Sequence, residues 1–350
     1  GNLTLITEMA VPYTGALSFN GAGASHSITT AGQALSVSSV NIGNDFAAGQ
    51  SVSFQDNFNI GTAPLTVRRV QNGIVTNNYT ITAGTLSFDN GNNLGSLTAG
   101  TSVINISSFT TSGMTNFTFS TASAIFNISG TGAFQGSGYT FGTVNLNGTA
   151  HTVSGSFTVN TLTRNGTATK TNTLTLTSGT TITTTTFAMI GNSPTNRLLV
   201  QSSTLGTAAT ITATNWTGSQ NVDLMDITAT NAVDLSAITG NSGDAQGNTN
   251  ITFTTGMAQT WDGATASWST AARWTSRVPL PQDDVSAGGA GNTITVDMPR
   301  IGKSITFTGT PTVTLSNHIY IYGSFTVASG STLSGTYNLR IAGRGSYILT

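Results

Sequence analysis

Phe117-Thr-Phe119, Phe126-Asn-Ile128, Val144-Asn-Leu146 followed at once by Asn147-Gly148, and Phe157-Thr-Val159 form the run that decides the fold. Each triplet is apolar, polar, apolar, a period of two that sends alternate side chains to opposite faces of a strand. The same triplets recur at Leu86/Phe88, Leu174/Leu176, Ile305/Phe307, Val313/Leu315, Phe325/Val327 and Leu339/Ile341. Between Asp89 and Arg164 there is no charged residue at all, whereas exposed helix faces are normally rich in Glu and Lys. Helices are therefore excluded from the body of the chain.

Composition narrows the class further. Of 350 residues 7% are charged and 37% hydrophobic, with Phe at 16 positions. Disordered chains combine low hydrophobicity with high charge, the opposite of this pattern. Turn chemistry bounds each strand: Asn20-Gly21, Asn72-Gly73, Asn90-Gly91, Asn147-Gly148 and Asn165-Gly166 supply positions where a positive φ costs little. Strands so short make poor hairpins but suit the rungs of a coil, each turn lying on the one before at about 4.8 Å.

The expected fold is thus all-β, a right-handed parallel β-helix in two consecutive segments, with Val, Ile, Leu and Phe columns inside and Thr, Ser and Asn ladders outside. At roughly 20 to 25 residues per rung it would make about 14 to 17 rungs. The rival is a series of antiparallel β-sandwiches, which would show cleaner alternation and more regular strand spacing. Residues 257–290 interrupt the rhythm with Trp261, Trp268, Trp274, Pro279 and Pro281, and divide a solenoid over 1–256 from a second over 291–350.

The formal charge of −1 and a single Arg68-Arg69 pair give no footprint for nucleic acid or anionic lipid. No apolar run approaches a membrane span, and without cysteine there is no disulfide framework. The expectation is of no nucleic-acid partner, no membrane insertion and no cofactor.

The stretch Thr260-Trp261-Asp262-Gly263 … Trp268 … Arg273-Trp274 … Val278-Pro279 … Asp283-Asp284-Val285 resembles the motif that opens β-solenoid modules in bacteriophage fibre or appendage proteins and in autotransporter-like bacterial surface proteins. The motif in those families has Asn where this chain has Arg273. A second stretch, Arg197-Leu-Leu-Val200, Val222-Asp223-Leu-Met-Asp226-Ile227 and Asn248-Thr-Asn250, is similar to the closing rungs of such modules. The resemblance implies a structural or adhesive fibre module, placed on a virion or a bacterial surface, that stacks end to end on copies of itself or on neighbouring modules and meets a cell-surface glycan or another receptor.

Candidate chemistry is sparse. A glycan-cleaving solenoid needs carboxylates gathered on one face, and this chain has only 12 acids. Asp223 and Asp226, three apart in one strand, cannot both face outward from it, which leaves them turn or edge roles. Asp283 and Asp284 suit a hard cation, or an Asx-turn paired with Arg273 or Arg277. His26, His151 and His318 lie at no metal-ligand spacing. Trp261, Trp268 and Trp274 with Tyr320, Tyr322 and Tyr337 form either a sugar-stacking platform or the core of a cap. No catalytic residue is assigned, and the chain is read as non-enzymatic.

Overall fold

The computed structural model describes residues 2–9, 11–20, 25–43, 50–68, 73–89, 95–112 and 116–350. Gly21, Arg69, Asn72, Asn90 and Gly91, named above in turn and basic-pair readings, lie outside the described residues. The chain is a parallel β-solenoid. It divides into two compact units: Gly1–Arg164 with Thr180–Ala188 and Thr212–Asn215, and Asn165–Gly179 with Met189–Ile211 and Trp216–Thr350.

In the first unit strands stack in parallel and in register, so that one side chain of each turn sits on its counterpart in the next. Val40, Leu65, Leu86, Phe109, Phe134 and Val153 form one unbroken inward column, and all six are buried. Phe58, Ile81, Ile104, Phe126 and Val144 form another. Burying a side chain of this size stabilises by about 1.5–3 kcal/mol, and the columns repeat that gain at every turn. Aromatic rings knit the columns together: Phe109 stacks on Phe134 at 5.3 Å and meets Phe126 edge-on at 5.6 Å.

Outside, polar side chains bond along the stack. Asn127 donates to Asn105 and accepts from Asn145, both at 2.9 Å, and the hydroxyls of Thr85 and Ser108 lie 2.9 Å apart. The turns show why glycine is needed at Gly148, where φ is +141° and a Cβ would lie 1.8 Å from the Gly130 carbonyl oxygen one turn away. At Asn165-Gly166 the expected positive φ does not occur. There Gly166 donates to the Ile190 carbonyl and continues the rung.

The second unit repeats the principle. Leu174, Val200 and Leu224 form one column, Val285, Ile305 and Phe325 another, and Ile294, Val313 and Leu333 a third. Its strand Asp284–Val296 runs straight through position 290, where the sequence placed a boundary. At the shift in composition the earlier strand ladders end, at Ser242–Asp244 and Thr249–Thr252, and a separate sheet begins at Ala258–Thr260. The Gln282 side chain ties the two together, donating to the carbonyls of Ser242 and Thr254 and accepting from Asp244 N–H. Among the described residues the one helical element is a 3-10 turn at Ala271–Arg273, and no helix could cross a membrane.

Candidate functional site

The tryptophan block folds inward. Trp268 and Trp274 meet edge-on at 4.6 Å, Trp261 and Trp274 at 4.9 Å, and Trp268 reaches Phe307 at 6.2 Å. All three indoles are buried in one apolar cluster with Val285, Ile294 and Ile305. Trp274 Nε1 donates to the Trp268 carbonyl and Trp261 Nε1 to the Ala264 carbonyl, each at 2.8 Å. Rings packed on one another present no face to a sugar. The six-ring platform is therefore not assembled: Tyr322 is buried in a different cluster with Leu199, Met225 and Ala245, while Tyr337 stands exposed against His318.

The acids are mostly spent on structure. Asp283 is fully buried and accepts from Arg277 Nε and Nη2 and from the N–H groups of Met257 and Leu280, at 2.7–3.1 Å. Four N–H donors on one carboxylate leave no oxygen lone pairs for a cation, so Asp283 is an anchor for the motif loop rather than a metal ligand. Its other partner in the sequence reading, Arg273, pairs instead with Asp262 at 2.7 Å. Among the described residues no group of three or more His, Cys, Asp or Glu could hold a metal.

Asp223 and Asp226 diverge as their spacing requires. Asp223 is buried on the strand face opposite Leu224, held by Arg197 at 2.7 Å and Arg300 at 2.6 Å. Asp226, at φ +55°, accepts from Gly206 N–H at 3.0 Å and pairs with Arg344. Asp297 accepts from Ser269 N–H and Oγ and pairs with Lys170. Burial pulls Arg197 below its ordinary range, and the Asp223 carboxylate opposes that shift.

Two grooves of the second unit are open. One, of about 620 Å³, is lined by Asp244, Asp284, Gln246, Gln282, Met257 and Lys303, and brings the exposed Asp284 near a second carboxylate and an ammonium. The other, of about 160 Å³, lies among Thr171, Gln201, Arg300, Asn317, His318 and Tyr320. There Tyr320 is half-buried, its hydroxyl accepts from Arg340 Nη1 at 2.8 Å, and the Arg340 guanidinium lies 5.4 Å from its ring centroid.

The histidines are apart, as expected. In the first unit His151 is buried with Nδ1 3.0 Å from the Gly132 carbonyl oxygen. Arg164 is fully buried and donates to the Leu146 carbonyl at 3.3 Å. Burial, more than the Arg164 charge, pushes His151 below its ordinary 6.5, and burial alone brings Arg164 down to about 10. Sequence reasoning passed over both Arg164 and Arg300. The signal available for Arg300 was its position in the pair Pro299-Arg300, just beyond the triplet that ends at Val296.

No family model, curated protein or solved structure matches this chain. The likeness of residues 260–285 to the opening motif of solenoid modules thus rests on its own residues.

Proposed function

We propose that this chain is a structural and adhesive fibre module, carried on a virion appendage and giving reach and surface attachment; a bacterial surface adhesin or filament subunit is the neighbouring reading. One observation carries it: the inward columns of the second unit come to the surface at their last rung. Leu333 continues the Ile294–Val313 column, Leu349 bridges to Phe325, and Ile341 pairs with Ile321, yet all three are at least 43% exposed. In the first unit Leu3–Thr4 pairs with His26–Thr29 on one side, and Ile6 nearby is 69% exposed. Apolar columns and unpaired strand edges of this kind are satisfied by a further rung.

In this reading that rung is supplied by another copy, by a neighbouring module or by further rungs of the same chain. Stacking of this head-to-tail type does not close on itself and builds filaments. The uncharged hydroxyl and amide ladders leave the sides of the coil to spread, low-energy contacts. No catalytic role is part of this reading, since the carboxylates Asp223, Asp226, Asp283 and Asp297 are each bound by Arg, Lys or N–H donors.

Negative-stain imaging and sedimentation test it. Rods that lengthen with protein concentration and shorten for Leu333→Asp/Leu349→Asp are expected. Monodisperse globules at every concentration would overturn it, and release of reducing ends from a glycan, lost in Asp284→Asn, would turn the reading toward an enzyme acting in the Asp244/Asp284 groove.

A further inference from the structure

Two guanidinium groups share a single carboxylate inside the second unit. Arg197 and Arg300 donate to the two oxygens of Asp223, and the three side chains are 3%, 5% and 0% exposed. Arginine stays protonated in proteins, so the triad holds one positive charge in excess. The neighbouring pairs are closed on themselves: Arg277 with Asp283, Arg344 with Asp226, Lys170 with Asp297. A desolvated charge without a counter-ion costs several kcal/mol.

The excess has a way out. Arg197 is fully engaged, donating to Asp223 and to the carbonyls of Gly240, Val222 and Asn241. Arg300 spends Nε on Asp223 and Nη2 on the Arg197 carbonyl, which leaves Nη1 without a partner among the described residues. Arg300 is also part of the wall of the 160 Å³ groove. Beside it stand the amides of Gln201 and Asn317, the His318 imidazole and the Tyr320 ring. His318 Nδ1 accepts from Asn338 N–H at 3.0 Å, which puts the proton of the neutral ring on Nε2, as a donor. A second cation, Arg340, has among the described residues the Tyr320 hydroxyl and ring for partners.

We propose that this groove binds the carboxylate of an acidic sugar residue. Arg300 Nη1–H, His318 Nε2–H and the Asn317 amide donate to the carboxylate oxygens, neutralising the triad's excess charge through charge-assisted hydrogen bonds. The Tyr320 ring forms an apolar wall for the C–H face of the pyranose. The geometry points to an anion of any carrier; the sugar as carrier rests on the attachment role proposed above.

The test uses the full chain in solution, with glucuronate as probe, glucose as its match without the charge, and inorganic sulfate as a bare anion, read by saturation-transfer NMR and titration. Glucuronate binding at least about tenfold tighter than glucose is expected, with a further loss of about tenfold in Asn317→Ala and in His318→Ala, the size of one charge-assisted hydrogen bond. Both residues are at the surface of the groove, so these variants fold even where Arg300→Ala does not. Equal binding of glucose and glucuronate, or indifference to both substitutions, would overturn the proposal. So would displacement by sulfate at equal concentration with no contribution from Tyr320→Ala, which would mark a simple anion hole. Rods without glucuronate binding would sink this site alone, and glucuronate binding without rods would sink the fibre reading alone.

Discussion

The two units stack the same kind of apolar column but bury different chemistry beside it. The columns of the first are hydrocarbon, its Phe rings stacking and meeting edge-on through successive turns beside the buried His151 and Arg164, and no carboxylate occurs anywhere between residues 90 and 222. The second holds all four tryptophans and a buried Arg197–Asp223–Arg300 triad. In-register stacking supports the apolar columns turn by turn, whereas the triad is buried on the strand face opposite the Leu224 column. An apolar column is stable as it stands, whereas a buried ion triad is stable only while every member is present. The first unit should therefore fail gradually and the second abruptly.

The largest expected effect tests that contrast directly. Asp223→Ala leaves two buried guanidinium groups facing each other and should cost about 3–5 kcal/mol, measured as an earlier denaturation midpoint by tryptophan fluorescence, which reports the second unit alone. Replacing the whole triad with Met and Leu should restore stability to within about 1–2 kcal/mol of the parent, since the desolvation cost disappears with the charges. A triple variant as weak as Asp223→Ala would mean that the triad stabilises by more than mutual neutralisation.

Phe109→Ala should be of comparable size, about 3–5 kcal/mol, as a cavity opened at the centre of the ring stack. Hydrogen exchange should show the loss in the strands Thr85–Asp89, Ser108–Ser112 and Ala133–Gln135, and a uniform loss over the first unit would break the picture of neighbour-by-neighbour stability. A smaller effect, about 1–2 kcal/mol, is expected for Asn127→Ala, which removes two ladder hydrogen bonds at a half-buried position.

Acid should weaken the first unit through His151. Its folded pKa lies below the ordinary 6.5, first because it is buried and then because Arg164 is near. Above pH 6.5 folded and unfolded chains are both neutral at this group and the contribution to stability is complete. As pH falls below 6.5 the unfolded chain takes up a proton that the folded one refuses, so stability declines until the folded imidazole also titrates. His26 is shifted in the same direction, chiefly by burial. Denaturation midpoints from pH 8 to 4.5 should therefore fall, and His151→Gln should flatten the slope without abolishing it. The smallest effect is expected for Arg273→Ala, whose partner Asp262 is fully at the surface: no measurable change in the midpoint.

Much of this was legible in the residues. The triplets at Leu86/Phe88, Phe126/Ile128 and Val144/Leu146 are rung strands with their apolar members inward, and the Asn105, Asn127 and Asn145 positions inside or between them form a ladder. The 18-residue step from Asn127 to Asn145 and the 25-residue step from Phe109 to Phe134 bracket the expected rung length. The change in composition at residue 257 coincides with the end of two strand ladders and the start of a separate sheet at Ala258–Thr260, whereas the strand Asp284–Val296 runs on past residue 290.

Sequence by itself determined that the chain is built of short strands and favoured stacked rungs over antiparallel sandwiches: a period of two, turn residues at short intervals and almost no charge are set by local backbone preference and side-chain alternation, which act over a few residues. The tertiary structure alone decided what the rare charges do. Arg197, Asp223 and Arg300 lie up to 103 residues apart: the first two meet across neighbouring rungs, and Arg300 reaches them from a separate sheet packed on those rungs. Whether Trp261, Trp268 and Trp274 faced solvent or one another was likewise open in the sequence, since an indole suits both settings, and the stacking of the rungs turned them inward.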